Sequence, residues 1–241
     1  MSELTKNSIF KGLNNNQLKI IAMISMLIDH IGLVLFPKVT VLRYIGRLAF
    51  PLYAYMIAEG CRYTKNRKRY LGMIAAMAIV FQIVYFVFMN GSIYQGILVN
   101  FSLSIATIFA IESFIKNKKI INRILMVLFV VAVLFAYIYL PIALARYKFD
   151  IDYGIWGLLI PIIVYFAPNK WLRAILCGAL LVIMSIVSQK NMQWWSLLTI
   201  PLMLLYNGER GSKKLKYLFY VFYPLHLVIL YGIMFLLIFL R

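Results

Sequence analysis

Acidic residues are scarce in this chain: seven Asp and Glu stand against 25 Lys and Arg, a formal net charge of +18 at pH 7. Charge of either sign is sparse too, at 13%, while 64% of the residues are hydrophobic, against roughly 45 to 50% in a soluble domain. No polar stretch is long enough for a soluble domain, and no low-complexity tract or helical-repeat period is present. So basic a balance would elsewhere point to nucleic acid, but the basic residues fall in short clusters between apolar runs, and no nucleic-acid partner is expected. Cysteine is limited to Cys61 and Cys177, which have no metal-ligand spacing. That excludes a disulfide framework and a zinc site and leaves packing as their role. Histidine is limited to His30 and His226.

What is abundant is apolar sequence in membrane-crossing lengths. Apolar runs cover 18–36, 42–61, 70–88, 97–115, 121–140, 153–167, 172–187, 194–206 and 216–240. They predict an all-α, polytopic transmembrane helix bundle of about nine spans, a single domain over 1–241 in the cell membrane. The runs at 153–167, 172–187 and 194–206 are short for a bilayer about 30 Å thick, so tilt or re-entry is expected there. With the amino terminus cytoplasmic, Lys6, Lys11 and Lys19, the Arg62 to Arg69 cluster, Lys116 to Arg123, Lys170 with Arg173, and Arg210 to Lys216 all fall on the inner side. Lys38, Arg43, Arg146, Lys148, Lys190 and Arg241 fall outside, a bias of roughly three to one that fits positive-inside orientation. Residues 1–17 are polar and Asn-rich, so no cleavable signal is expected, and Asn14 to Asn16 read as a cap for the first helix.

The first run carries the polar pair Asp29-His30 well inside an apolar stretch. A charge at that depth costs roughly 2.5 to 3.5 kcal/mol, so such residues face a bundle interior or a wet cavity. His30 lies about 18 Å along the helix from Leu18. Asp29 is offset about 100° from it and is expected to seek a cation on another helix. Arg43 and Arg47 share a helix face in the next run, and Pro51 removes the hydrogen bond to the Arg47 carbonyl and predicts a kink. Either an Asp29–Arg pair simply locks two helices, or one arginine stabilises a developing oxyanion.

The last run holds Tyr223-Pro224-Leu225-His226 at mid-membrane depth. Each histidine alone could be a satisfied core residue; together with Tyr223 they could hold a proton-transfer site, since imidazole titrates near neutral pH. Lys19 precedes His30 by eleven residues, close to three turns, so both can line one groove with Lys19 about 16 Å nearer the cytoplasmic side. Phosphates of a donor bound at Lys19 and the basic clusters would leave a thin arm able to reach His30, although topology alone also accounts for such clusters. Asn100, Ser102 and Ser104 read mainly as helix–helix hydrogen-bonding residues, with Asn100 kept as a binding candidate and Gln82 beside it. Glu59 and Glu112, at predicted inner helix ends, are expected to pair with the basic loops.

Three stretches resemble the TraX family, membrane acetyltransferases of the amino terminus of F-type pilin. They are Leu18-Lys19-Ile20-Ile21-Ala22-Met23 through Ile28-Asp29-His30-Ile31-Gly32, Tyr44-Ile45-Gly46-Arg47-Leu48-Ala49-Phe50-Pro51-Leu52 on to Gly60, and Tyr223-Pro224-Leu225-His226-Leu227. The Lys19-to-His30 spacing is also similar to the basic-residue, ten-residue gap, histidine pattern of the wider acyltransferase-3 group, whose paired arginines are closer together than Arg43 and Arg47. The resemblance implies acetyl-CoA or another acyl-CoA as cytoplasmic donor and a membrane-associated acceptor, a peptide, lipid or glycan. It implies His30 as general base, Asp29 and Arg47 as orienting or charge-stabilising groups, and Lys19 near the CoA phosphates. Arg43, Asn100, Tyr223 and His226 complete the expected binding set, with no metal.

The expected function is therefore acyl transfer to an amine or hydroxyl, with a pilin or peptide amino terminus among the acceptors. A small-solute or lipid transporter, or flippase, would use intramembrane Asp, His and Arg as naturally. A non-catalytic scaffold is the third reading, and it predicts that His30→Ala is tolerated.

Overall fold

A computed structural model describes residues 12–89, 91–116, 119–189, 191–212 and 215–240. The expectations placed on Lys6, Lys11, Lys118, Lys190, Lys213, Lys214 and Arg241 lie outside these residues. Every regular element among them is helical: α1 (Asn15–Val34), α2 (Thr40–Gly46), α3 (Ala49–Tyr63), α4 (Arg67–Phe88), α5 (Ile97–Lys116), α6 (Ile120–Ala143), α7 (Gly154–Phe166), α8 (Lys170–Ser188), α9 (Thr199–Leu204) and α10 (Lys216–Phe239). Two 3₁₀ segments, Ala145–Tyr147 and Asn191–Leu198, precede α7 and α9. Six helices are long and apolar enough to cross a bilayer: α1, α4, α5, α6, α8 and the Val221–Phe239 part of α10. The chain is thus a multi-pass membrane protein.

Local chemistry accounts for the ends that position the site. Asn14 caps α1: its side chain accepts from the Gln17 amide at 3.0 Å, and the Gln17 side chain accepts from the Asn14 amide at 2.8 Å. The second apolar run differs from expectation. It is not one kinked helix but two, α2 and α3, which part at Arg47–Leu48. Pro51 sits in the first turn of α3, where its missing N–H costs nothing, and the break falls just ahead of it. The run at 194–206 also departs from a plain helix, because it begins within the 3₁₀ segment and α9 is only Thr199–Leu204.

α3 is the centre of the bundle. Nearly every side chain from Ala49 to Cys61 is buried, with Leu52, Ala54 and Ala58 fully so, and it packs against α1, α5, α7 and α9. Its small residues let those neighbours approach closely, as membrane helix packing requires. α10 closes the assembly by packing on α1 and α4, whereas α6 exposes most of its apolar surface. Burying that surface takes lipid.

The loops gather at two ends. Where α1 begins, Leu13 pairs with Leu205 and Asn207, and the Asn15 amide donates to Glu209 O at 2.8 Å. Where α1 ends, the 91–96 loop pairs with 150–152 through Gln95, whose amide donates to Asp150 O at 2.8 Å and whose carbonyl accepts from Asp152 at 2.9 Å. Gln82 of α4 braces this second loop by donating to Tyr94 O at 2.7 Å.

Candidate functional site

The two histidines meet. Nε2 of His226 lies 3.2 Å from Nδ1 of His30 across the α1–α10 contact, with ring centroids 4.9 Å apart. Their partners assign the tautomers. A carbonyl only accepts, so His226 Nδ1 must donate to Phe222 O at 2.9 Å, which leaves its Nε2 as a lone pair. That lone pair faces His30 Nδ1, whose single hydrogen is shared between His226 and Met26 O at 2.9 Å. Nε2 of His30 is then the unprotonated nitrogen, the one able to take a proton from a substrate. Phe222 stacks on His226 at 4.9 Å, and Tyr223 stands edge-on to it at 6.0 Å, so the ring is held on two sides.

Asp29 turns away from this pair, as its 100° offset requires. Its carboxylate takes Arg43 Nη1 at 2.7 Å on one oxygen and Arg47 Nη2 at 3.0 Å on the other. Nε of Arg47 also donates to Arg43 O at 3.2 Å, which braces the guanidinium at the end of α2. Gly46 makes the approach workable: a Cβ there would overlap the Asp29 side chain. Two cations on one partly buried anion leave a net positive charge beside the imidazoles.

Asp152 is the acid that sequence reasoning did not single out. It lies in the loop ahead of α7, accepts from the Tyr94 hydroxyl at 2.9 Å and interacts electrostatically with Arg47 and Asp29. Burial, partly offset by Tyr94, pushes its carboxyl up to about 6. Tyr153, next to it, has a left-handed backbone (φ 58°) and stacks on Phe50 at 3.9 Å. A non-glycine residue held there costs on the order of 1–2 kcal/mol, which the stacked ring and the 91–96 loop pairing offset. The available signal was scarcity, since Asp152 is one of only seven acids and stands at the start of an apolar run.

Asn100 supports this loop from below and is fully buried. Its amide donates to Asp152 O and its carbonyl accepts from the Tyr137 hydroxyl, so its polar atoms are used within the bundle. The Ser104 hydroxyl shares its hydrogen between Asn100 O in its own helix at 2.9 Å and Leu158 O of α7 at 3.0 Å, so it reaches a second helix, whereas Ser102 bonds back within α5 to Leu98 O at 2.8 Å.

A second feature lies where α1 begins. A pocket of about 460 Å³ has exposed Lys65, Arg69 and Arg210 at its rim and Lys19 on its wall, with buried Asn15 and Glu59 at its floor. Lys19 Nζ sits 5.5 Å over the ring of Phe219 on α10. Lys19 and His30 therefore both face α10, as the near-three-turn spacing requires. Glu59 and Glu112 pair with basic groups as expected: Glu59 with Arg62 and Arg173, Glu112 with Arg67. Cys61 and Cys177 are buried free thiols.

Comparison with known proteins finds a family match over most of the chain. The family described as "TraX protein" matches residues 14–234. A protein of Dichelobacter nodosus named "Probable fimbrial assembly protein FimC, serogroup H1" is 23% identical over 240 residues, covering 89% of this chain and 93% of that one. An uncharacterized protein of Rickettsia prowazekii (strain Madrid E), RP591, is 29% identical over 174 residues, covering 70% of this chain and 62% of that one. No solved structure matches.

Proposed function

The chain belongs to the TraX family, and from that premise we propose that it is an integral membrane acyltransferase, moving an acetyl or other acyl group from acyl-CoA to an amine or hydroxyl acceptor at the bilayer. The fimbrial-assembly name of its Dichelobacter relative favours a pilus subunit's amino terminus as that acceptor. The observation that carries the reading is that one helix, α1, joins a basic pocket at Lys19 to a hydrogen-bonded histidine pair at His30, about 16 Å further along. That separation suits a donor with phosphates at one end and a reacting thioester at the other.

In this proposal the segments 40–63, 154–166 and 191–204 complete nine crossings, and the pocket end faces the cytoplasm, where the basic loops would place it. The acceptor nitrogen or oxygen attacks the thioester carbonyl, and its proton passes to His30 Nε2. His226 stabilises the resulting imidazolium by accepting from Nδ1. Arg47, with Nη1 left over after its bonds to Asp29 and Arg43 O, faces the oxyanion. The C–S bond then breaks, and the CoA thiolate takes the proton back from His30. A positioned base is worth roughly 10²–10⁴-fold and an oxyanion donor roughly 10²–10³-fold, enough together for an enzyme of ordinary rate.

The test is thermal unfolding of detergent-purified protein with CoA, acetyl-CoA and inorganic triphosphate. Saturable stabilisation by both CoA forms, near 2.7 kcal/mol at about 100 times Kd, supports the reading. Absence of any CoA effect contradicts it and turns attention to solute flux.

A further inference from the structure

The floor of the basic pocket is not basic. Glu59 is 1% exposed, and both of its guanidinium partners, Arg62 and Arg173 at 3.0 Å, bond the same oxygen, Oε1. Its other oxygen, Oε2, is buried with no hydrogen-bond partner among the described residues. Asn15, 9% exposed, hydrogen-bonds Tyr206 and leaves its own Oδ1 buried and unpartnered in the same way. Both orphaned acceptors belong to residues that line one cavity, and each is costly, losing roughly 1–3 kcal/mol of solvation. Thr107 Oγ1, Gln193 Nε2 and Ser196 Oγ are also buried without a partner among the described residues, but of the five only those of Glu59 and Asn15 belong to residues that line this pocket.

From this geometry we infer that Glu59 Oε2 and Asn15 Oδ1 form an N–H-accepting floor, which orients a phosphorylated ligand with its phosphates at the Lys65, Arg69 and Arg210 rim and an N–H group inward. The chemistry is one of exclusion as much as attraction. A carboxylate oxygen repels phosphate, so a polyanion cannot settle deep against the cations behind Glu59, and only a neutral N–H donor satisfies the floor. The inference rests on the acyl-CoA reading for the identity of the ligand. CoA offers two sources of such a donor, the exocyclic amine of its adenine and the amides of its pantetheine arm.

Calorimetric titration of the intact wild-type protein separates them. The ligands are CoA, 3′,5′-ADP with its N6,N6-dimethyl form, and pantetheine 4′-phosphate with its N-methylated form. The expected result is that one N–H ligand binds about tenfold or more tightly than its methylated counterpart, the size of one unmet buried hydrogen bond. The pair that discriminates names the source. Glu59→Gln is the second arm: Arg62 and Arg173 hold the amide oxygen, an NH₂ replaces Oε2, and the discrimination falls to within about twofold. Equal affinities within both wild-type pairs overturn the inference, and so does discrimination unchanged in Glu59→Gln. CoA binding without discrimination removes this inference and leaves the acyl-CoA reading standing. Discrimination by a fragment without CoA binding does the reverse.

Discussion

Nε2 of His226 accepts the hydrogen that His30 Nδ1 shares with Met26 O, across a 3.2 Å gap between the first and last helices. The chain of donors starts at a carbonyl that can only accept, Phe222 O, so one proton arrangement runs through both rings and ends in a free nitrogen on His30. Closure of α10 onto α1 and the setting of the His30 tautomer are thereby the same event.

The two rings differ in what their loss does. His30→Gln removes the base and is expected to lower acyl transfer by about 10²–10⁴-fold. His226→Gln leaves the base but unsettles its tautomer, and a loss nearer tenfold is expected, with the donor's KM unchanged. Steady-state rates for both variants check this, and equal losses would place both rings in direct contact with the substrate.

The Asp29 pairs hold α1 against α2. Asp29→Ala leaves Arg43 and Arg47 partly buried without their anion, which costs about 3 kcal/mol, the lower end for breaking such a pair. Arg43→Ala leaves Asp29 its bond to Arg47 and is expected to cost about half as much. Thermal unfolding in one detergent ranks the variants, and a milder effect for Asp29→Ala than for Arg43→Ala would contradict the arrangement.

Gly46→Ala tests the close approach of the same helices. A Cβ there overlaps the Asp29 carboxylate, which must move, and about 1–3 kcal/mol of stability is expected to go with it. Gly72→Ala, in α4 with open space around it, is the matched control and is expected to be neutral or slightly stabilising.

Much of this was legible in the residues. A chain with two histidines, both in apolar runs, invites pairing them; the near-three-turn Lys19–His30 spacing put both on one face; and the offset between Asp29 and His30 sent the acid to a second helix. The α2–α3 break was legible only as a kink, because proline marks where a helix loses a bond but not whether the chain restarts. Asp152 and the Glu59 floor were hidden for a different reason. Asp152 is set by loop pairing with Gln95, 57 residues away by number, and Oε2 of Glu59 is orphaned only because two distant arginines converge on its neighbour. Periodicity carries no record of either.

Asp152 gives the protein a pH signature. Its carboxyl titrates at about 6 in the folded chain against 3.8 as an ordinary group, so the folded state holds the proton more tightly. Stability contributed by that proton is present below pH 4 and is lost as the pH rises through about 6. Relative to wild type, Asp152→Asn keeps an acceptor for Tyr94 and is expected to gain stability, on the order of 2 kcal/mol, between pH 4 and 7. Parallel melting curves across that range measure it, and a constant difference would show that Asp152 is charged throughout.

The most direct measurement is transfer of isotope-labelled acetyl from acetyl-CoA to peptides bearing free amino termini, in proteoliposomes of wild-type protein and of His30→Gln. The account predicts label on the peptide with wild type, release of one CoA thiol per acetyl transferred, and a loss of at least about 10²-fold in His30→Gln. Equal transfer by both proteins would contradict His30 as the base. No transfer to peptide, lipid or glycan acceptors, alongside uptake of a solute without acyl-CoA consumption, would contradict the enzyme itself.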